Sequence, residues 1–573
     1  MSTLHAIYTE RRECQDCHKC IRECPVKAIR VQDGYARIVP ELCILCGNCM
    51  LACPSSAKQV RDDLPKVKAL LLSDRRVVVS LAPSFVPQFP GVRPAQLISA
   101  LKRLGFHAVS ETALGAQQVS ANVFSLMRTE PRKVYISSAC PVVVDFVIKY
   151  HPNCEDSISA LLSPLLTHCK MLRSYYGDDT AIVFIGPCIA KKTEAEAHPD
   201  LLDVVLTFED LSRWFAEMNI DPSAVVETID DHFFPEEARE GALYPIEGGL
   251  IPGITGNGEV SAAQIMSFSG IANVEQALKG ISEWKPEHSI FLELTACAGS
   301  CVNGPKAARN SSVARRRYDV LHFAKPGTGP RTASVPIAHS YSAAPVPRDE
   351  YSELQLREAL RIVGKYSAED ELNCSGCGYD SCRDFAHALI TRNAERMMCA
   401  TYTRKLAQKK ANALLQKMPS AVVIVDEELK IIECNKNFVR LFSDDLENAK
   451  DLEGCALDAV IPFSYIFQRV LESNEDMVGH DIRYQRSILN TSIFTIEPHA
   501  VLCGIFQDIT EPIFQKEQII GRARDVIQKN LKTVQQIAYL LGENAADSEI
   551  ILNSIVRSFS PEELDDPDAR GQQ

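Results

Sequence analysis

A cysteine spacing that occurs twice near the N-terminus constrains this chain more than any other feature of its sequence. The chain reads Cys14-x2-Cys17-x2-Cys20-x3-Cys24-Pro25 and then Cys43-x2-Cys46-x2-Cys49-x3-Cys53-Pro54. Such short spacings let three thiolates wrap one corner of a 4Fe–4S cluster, while the cysteine before the proline ligates the neighbouring cluster. The pattern predicts a first set (Cys14, Cys17, Cys20, Cys53) and a second set (Cys43, Cys46, Cys49, Cys24), each holding one cluster.

Zinc is the alternative ligand, although structural zinc sites rarely use x2-x2-x3 runs that end in proline. Residues 1–62 are too few for a large core, so bound clusters must supply much of the folding energy. This segment resembles a bacterial two-cluster ferredoxin, and the resemblance implies electron transfer.

Length and composition place these clusters in a multidomain protein. A chain of 573 residues exceeds one hydrophobic core. The net charge of −13 argues against nucleic-acid binding. We find neither a secretion-signal pattern at the N-terminus nor an 18-residue apolar run, so we expect a cytoplasmic protein without a membrane segment. The chain has 21 cysteines, and in that compartment clustered cysteines are more often metal ligands than disulfides.

Three further cysteine segments follow predicted strands of an α/β region. The strands are expected at Val77–Leu81, Val134–Ser137, Ala181–Ile185 and Ile290–Leu294, in a mainly parallel sheet. Ligands collect at the carboxyl ends of such strands. Cys297 and Cys301, four apart, would share one face of a helical turn. Four unrelated buried cysteines are the alternative that position alone leaves open.

The residues around these cysteines carry a family resemblance. The segments SSACP (137–141), GPCIAKKTE (186–194) and ELTACAGSCVNG (293–304) resemble the three H-cluster motifs of FeFe-hydrogenases, approximately TSCCP, MPCxxKKxE and ExMACxxGCxxG. The resemblance spans roughly residues 10–320. It implies that a third set (Cys140, Cys188, Cys297, Cys301) binds a 4Fe–4S cluster, and that Cys301 bridges to a two-iron subsite with CO, cyanide and a dithiolate amine.

The same resemblance assigns two cyanide contacts. Lys191 would contact one cyanide through its ammonium group, the alternative being a solvated surface lysine. Ser84, in the turn Ala82-Pro83-Ser84, resembles the second contact, where backbone N–H groups donate to the anionic ligand.

Departures from the family motifs point to slow catalysis. Efficient members carry a proton-passing cysteine at the position of Ala139, and a methyl group has no proton to transfer. Gly186 and Thr295 stand where methionine is usual, and the acidic relay residues expected near 120–128 are missing. This combination resembles sensory members of the family.

A fourth set, Cys374-x2-Cys377-x4-Cys382-x16-Cys399, resembles the small helical 4Fe–4S domain of redox and corrinoid proteins, with zinc as the alternative. The remaining five cysteines are expected to be packing residues: Cys154, Cys169, Cys434, Cys455 and Cys503.

The C-terminal part resembles a PAS domain. Strands are expected at Ala421–Val425, at Ile431–Glu433 and within 499–510. We expect an empty relay domain, with a plain docking domain as the alternative. A seven-residue repeat (Ile520, Ile527, Val534, Leu541, with Ala523, Asn530 and Ile537) favours either a coiled-coil homodimer or a helix packed on its own PAS domain.

The expected fold class is therefore multidomain, with α+β and α/β parts. The domains are a two-cluster ferredoxin-like module (1–62), the H-cluster domain (66–325), a linker or covering segment (326–350), a helical 4Fe–4S module (351–400), a connecting helix (401–417), the PAS domain (418–512), a helical segment (513–557) and an acidic tail (558–573).

The resulting hypothesis is a hydrogen sensor that turns over H2 slowly. Its partners would be H2 and protons, ferredoxin or another redox protein, and a signalling protein. The alternatives are a ferredoxin-linked bidirectional hydrogenase and a non-catalytic iron–sulfur scaffold.

Overall fold

The computed structural model describes residues 5–130, 132–258, 260–261, 264–327, 329, 334–347, 349–443, 449–510 and 526–533. The chain divides into two compact units between Cys399 and Ala400. All 21 cysteines are free thiols. Within the described ranges, we find no helix whose length and apolar content would let it span a bilayer.

The N-terminal module is small and built around two short antiparallel strand pairs. Its elements are β1 (Ile7–Thr9), α1 (Lys19–Arg22), β2 (Ile29–Gln32), β3 (Tyr35–Ile38), α2 (Asn48–Ala52) and β4 (Lys58–Val60). Strand β1 pairs antiparallel with β4, and β2 with β3. Asp33 and Gly34 join β2 to β3 with φ values of 54° and 70°, the conformation that a tight two-residue hairpin turn requires.

The α/β region follows. Its elements are α3 (Leu64–Leu71), β5 (Val77–Leu81), α4 (Phe85–Gln88), α5 (Pro94–Arg103), β6 (Ala108–Glu111), α6 (Ala113–Thr129), β7 (Val134–Ile136), α7 (Pro141–Tyr150), α8 (Pro164–Tyr176), β8 (Ala181–Gly186), α9 (Lys191–Ala197), β9 (Val204–Thr207), α10 (Phe208–Glu217), α11 (Ile251–Thr255), β10 (Ile265–Ser269), α12 (Ile271–Leu278), β11 (Ile290–Thr295) and α13 (Val313–Phe323). Every strand pairing is parallel, as predicted.

The expectation of one sheet was wrong. The strands form two sheets, ordered β6-β5-β8-β9 and β10-β11-β7. Strand β7 pairs with β11, which lies far along the chain, and not with its sequence neighbours β6 or β8. The apolar sequence of β7 could not reveal its pairing with β11. Parallel strands that are covered on both faces are apolar throughout, whichever strand they pair with.

A buried ion pair fixes the start of this region. Lys192 is fully buried, and its Nζ donates to Asp63 Oδ2 at 2.9 Å and to the Val205 carbonyl at 3.0 Å. Burial opposes ionisation of Asp63, but Lys192 and its other cationic neighbours lower its pKa to about 2. The carboxylate therefore stays charged inside the protein.

Asp63→Ala is expected to destabilise the protein by about 3–5 kcal/mol, because Lys192 would remain buried with only the more distant Asp210 carboxylate, at 4.0 Å. Since the folded pKa is depressed, this contribution is present above pH 3.8 and is lost as pH falls toward about 2. Urea unfolding followed by circular dichroism measures it. Asp62→Ala is the control, because Asp62 pairs with Arg213 at the surface and should cost about 1 kcal/mol. Equal losses in both variants would contradict the prediction.

Residues 334–347, within the expected linker or covering segment (326–350), lie against the α/β region. The Leu162 N–H donates to the Ile337 carbonyl at 2.9 Å, and the His339 N–H to the Ala160 carbonyl at 3.0 Å. Of the two alternatives, a free linker and a covering segment, this part is a covering segment. Helices α14 (Glu353–Ile362) and α15 (Cys382–Ile390) then frame the fourth cysteine set, as expected.

The second unit contains one antiparallel sheet. Its elements are α16 (Ala400–Lys417), β12 (Ala421–Val425), β13 (Ile431–Cys434), α17 (Lys436–Phe442), α18 (Tyr465–Ser473), β14 (Met477–Tyr484), β15 (Ser487–Glu497) and β16 (Val501–Asp508). The strand order is β13-β12-β16-β15-β14. Residues 526–533 are helical. Of the seven heptad positions only Ile527 and Asn530 fall within the described residues, and the acidic tail lies outside them, so both expectations stay predictions.

Candidate functional site

Both N-terminal cysteine runs have the same backbone path. Left-handed φ values recur at equivalent positions: Asp16 and Leu45, His18 and Gly47, Lys27 and Ser56. The path turns N–H groups toward sulfur: Ala28 donates to Cys24 Sγ at 3.2 Å and Ala57 to Cys53 Sγ at 3.3 Å. Bonds of this kind stabilise thiolates, which is the form that binds metal.

The fourth cysteine of each run lies with the other run, as predicted. Burial, together with the nearby Cys14, Cys17 and Cys53, raises the pKa of Cys20 to about 11. Burial likewise raises the pKa of Cys49, with further increases from Cys46, Cys24 and Cys43. The structure thus brings together the first set and the second set with the exchanged pairing.

The zinc alternative is not decided by geometry. Among the described residues, no group of three or more His, Cys, Asp or Glu side chains is placed to hold a single metal ion.

The third set lines a cavity of about 120 Å³ at strand ends of both parallel sheets. Cys140 follows β7, Cys188 follows β8, and Cys297 and Cys301 follow β11. These four thiols lie close together. Burial raises the pKa of Cys301, and the nearby Cys140 and Cys188 also raise it. The alternative of four unrelated cysteines is therefore wrong.

The helical turn predicted for Cys297 and Cys301 was also wrong. Gly299 and Ser300 between them have φ values of 75° and 65°, which a right-handed helix cannot contain. A short 3-10 turn begins only at Cys301. The loop, and not a helix face, brings both thiols to the cavity.

Lys191 lies in the cavity wall and is buried, which excludes a solvated surface lysine. Its Nζ donates to Glu194 Oε2 at 2.6 Å and to Ser163 Oγ at 3.2 Å. Burial alone would lower the pKa of Lys191, but Glu194 and Cys188 raise it overall. The cavity therefore contains a fixed positive charge, which suits an anionic ligand.

Ser84 and Ala139 also line this cavity. The Ser84 hydroxyl is buried and has no hydrogen-bond partner among the described residues, so a bound group could accept from it. Ala139 presents only a methyl group. The residues present therefore fit an anionic, sulfur-ligated cofactor.

Two of the unusual motif residues have a structural reason. A Cβ added at Gly186 would lie 2.5 Å from the Phe184 ring and 2.9 Å from Ala82, so no side chain fits there. Thr295 exchanges a hydrogen bond of 2.9 Å with the Ser300 hydroxyl, which helps hold the loop between Cys297 and Cys301.

Sequence reasoning missed two titratable residues of the cavity, Glu293 and Tyr244. Burial raises the pKa of Glu293 to about 7. The Tyr244 hydroxyl pairs with Ser120 Oγ at 3.1 Å. Glu293 stands in the third motif, four residues before Cys297, and this was the signal that could have found it. Tyr244 had no such signal.

The second set approaches the third. Lys149 Nζ donates to the Cys43 carbonyl at 2.8 Å. A Cβ on Gly47 would lie 2.5 Å from the Pro305 side chain, so only glycine allows this approach. Burial raises the pKa of Cys297 most, the other third-set thiols raise it next, and Cys46 of the second set raises it least.

The fourth set also converges. Burial raises the pKa of Cys377, and Cys399 and Cys374 raise it further. Cys382 begins α15, and its N–H donates to Asn373 Oδ1 at 2.8 Å. Among the five cysteines expected to be packing residues, Cys154, Cys169, Cys434 and Cys503 are buried, but Cys455 is half-buried.

Comparison with known protein families identifies the central region. A family model described as "Iron only hydrogenase large subunit, C-terminal domain" matches residues 75–305. Residues 75–305 therefore match a domain of the iron-only hydrogenase large subunit. A 4Fe-4S dicluster domain matches residues 13–57, and an Fe-S cluster model matches residues 370–412. The hydrogenase domain contains all four cysteines of the third set.

The curated relatives that this chain matches are distant. Iron hydrogenase 1 of Clostridium pasteurianum is 23% identical over 354 residues, which are 50% of this chain and 61% of that protein. The periplasmic Fe hydrogenase large subunit of Nitratidesulfovibrio vulgaris is 23% identical over 364 residues, 52% of this chain and 86% of that protein. The chain thus spans less than two thirds of the clostridial relative. A structure of FeFe-hydrogenase HydA1 from Chlamydomonas reinhardtii matches with a TM-score of 0.39 at 17% identity, covering 50% of this chain and 100% of that one.

Proposed function

We propose that this protein is a hydrogen sensor that reacts slowly with H2 and passes the resulting electrons toward its C-terminal unit. The observation that carries the proposal is one buried cavity lined by four cysteines and Lys191, with Ala139 where a proton-passing cysteine stands in efficient members. The site would hold an H-cluster, which supplies heterolytic H2 chemistry when bound.

The chain's own residues would perform three tasks at this site. The third-set thiolates hold the cofactor. Lys191, oriented by Glu194, contacts an anionic ligand from one wall, and Ser84 from another. Glu293 holds or releases a proton inside the cavity, because its pKa of about 7 lets both protonation states exist near neutral pH.

The PAS assignment rests on the second unit. Its strand order β13-β12-β16-β15-β14, with helices between β13 and β14, fits that fold. Phe438, Phe442, Phe463, Phe467 and Phe506 pack against one another, and the ring centroids of Phe442 and Phe506 lie 5.0 Å apart. A filled interior favours a relay domain without a ligand. A separate signalling protein, dimerisation through the helical segment 513–557 and a cytoplasmic location complete the proposal.

Metal content tests the cofactor assignment. We expect about 18 iron atoms per chain: four in each of three accessory clusters and six at the H-cluster. Sixteen cysteines in four sets of four motivate this number. Iron analysis and EPR of anaerobically reconstituted, maturated protein measure it, and two or fewer cubane clusters at full occupancy would refute the assignment.

Infrared spectroscopy with H2 tests the function itself. Maturated protein is expected to show CO and cyanide bands that change under H2, together with slow H2 evolution from a strong reductant. Evolution as fast as that of an efficient family member measured in parallel would favour a bidirectional hydrogenase. Absence of the bands after maturation would favour a non-catalytic scaffold. Either result rejects the sensor.

A further inference from the structure

The helical module around the fourth set packs on the two-cluster module, within the first compact unit. The Val31 N–H of β2 donates to the Asn393 carbonyl at 3.0 Å, and Arg30 Nε donates to Asn393 Oδ1 at 2.9 Å. The Asp33 N–H donates to Glu395 Oε1 at 2.8 Å. The fourth-set module is therefore held along the edge of β2 and the β2–β3 turn by directional bonds.

A second contact brings the fourth-set loop onto α1. Lys27 Nζ donates to the Gly378 carbonyl at 3.1 Å, and Arg22 Nη1 to the Gly376 carbonyl at 3.3 Å. Gly378 has a φ of 94°, and a Cβ there would lie 3.0 Å from the Ile21 side chain. Glycine is required both for this backbone conformation and for this close approach.

Tyr379 directly follows Gly378 in the fourth-set loop that packs on Ile21. It is 4% exposed, and its hydroxyl has no hydrogen-bond partner among the described residues. Burial raises the pKa of Tyr379, and Cys377 and Cys24 raise it further, so a cysteine of each module lies nearby. A buried hydroxyl without an acceptor is costly, and cluster sulfur is the acceptor that this position offers.

The second set thus lies beside two others. Gly47, beside its Cys46, approaches Pro305, which lies four residues after the third-set Cys301. Arg22 and Lys27, on either side of its Cys24, donate to carbonyls of the fourth-set loop. We propose that the cluster on the second set is a branch point, from which electrons pass through the Tyr379 contact to the fourth-set cluster without crossing the first set. This inference rests on the cluster assignments of the proposed function.

The transfer is a one-electron step without bond changes. A reduced cluster held by the second set would give up one electron, and an oxidised cluster held by the fourth set would accept it. H2 oxidation supplies two electrons and releases two protons in the established chemistry of the family, so two such steps balance one H2. Residue 399 directly precedes the second unit, so this cluster is the one adjacent in sequence to the C-terminal part.

EPR of the holoprotein reduced with dithionite tests the branch without using H2. We expect spin–spin broadening between the second-set and fourth-set signals. Arg30→Glu combined with Asn393→Asp should abolish this broadening, because two carboxylates would replace the 2.9 Å hydrogen bond. Iron content should not change. Arg37→Glu, the same charge change on the neighbouring strand β3, should retain the broadening. A magnetically isolated fourth-set signal in the wild type, or broadening that survives the double variant, overturns the proposal.

Two further measurements separate the possible failures. Tyr379→Phe removes only the hydroxyl, so the midpoint potential of the second-set or fourth-set cluster should fall while the first-set potential stays constant. Unchanged potentials overturn the role of Tyr379. Under H2, a first-set Cys17→Ser variant should still reduce its fourth-set cluster. If H2 reduces no cluster but the dithionite broadening is present, the sensor function fails and the branch stands.

Discussion

Ala139→Cys is expected to raise the rate of H2 evolution by up to about 10²-fold, the low end of what a positioned acid–base group contributes. Ala139 lies in the wall of the cavity that holds the third set, next to Cys140. A thiol there restores one proton-transfer atom between the cavity and solvent. The gain stays small because the carboxylates expected near 120–128 are still missing, and because Glu293 already provides a titratable group in the same cavity.

The control for this experiment is Ala139→Ser, which has a similar size but a hydroxyl that is far less acidic than a thiol. Its rate should remain near the wild-type rate. Infrared bands in both variants should match those of the wild type, which shows that the metal site is unchanged. An Ala139→Cys rate equal to the wild-type rate, with intact bands, would show that proton delivery is not limiting and would remove the main support for the sensor.

Replacing Glu293 by glutamine is expected to lower H2 evolution by about 10²–10⁴-fold, because the cavity would lose its carboxyl proton donor. Glu293 is buried at the end of β11, and its Oε1 accepts from the Leu250 N–H at 3.3 Å. Burial raises the pKa of Glu293 to about 7, so wild-type evolution should decline as pH rises through this value. Glu293→Gln should lose that pH dependence.

Glu111→Gln is the matched control. Burial also raises the pKa of Glu111 to about 7, but Glu111 is not part of the cavity wall, and its Oε2 accepts from the Ala238 N–H at 2.6 Å. Its replacement should leave the rate and its pH dependence unchanged. Equal effects of both replacements would mean that Glu293 acts through stability alone.

Stability measurements distinguish a role of Glu293 as proton donor from a role in stabilising the fold. Because the folded pKa of Glu293 lies above its ordinary value, its stabilising contribution is present below pH 4.5 and is lost as pH rises through about 7. Glu293→Gln should therefore gain stability relative to the wild type at pH 8. A variant that is more stable but far slower has lost a proton donor and not its fold.

The sequence by itself indicated the four cysteine sets of this protein. Thiolates must reach one cluster from short loops, so the x2-x2-x3 spacing before a proline permits few arrangements, and the exchanged partners Cys24 and Cys53 followed from it. The strands β5, β7, β8 and β11 were also predictable, because apolar runs ending in small residues are typical of buried parallel strands. The cavity position of Lys191 followed from its motif.

Only the tertiary structure decided which distant segments meet. The division into two parallel sheets depends on the pairing of β7 with β11, and pairing partners leave no mark in the composition of a strand buried on both faces. The loop between Cys297 and Cys301 required left-handed backbone at Ser300, which local spacing does not reveal. Tyr244 reaches the cavity, and Lys27 reaches the Gly378 carbonyl, across long sequence separations. Such contacts arise from the packing of whole elements, so they emerged only when the chain was folded.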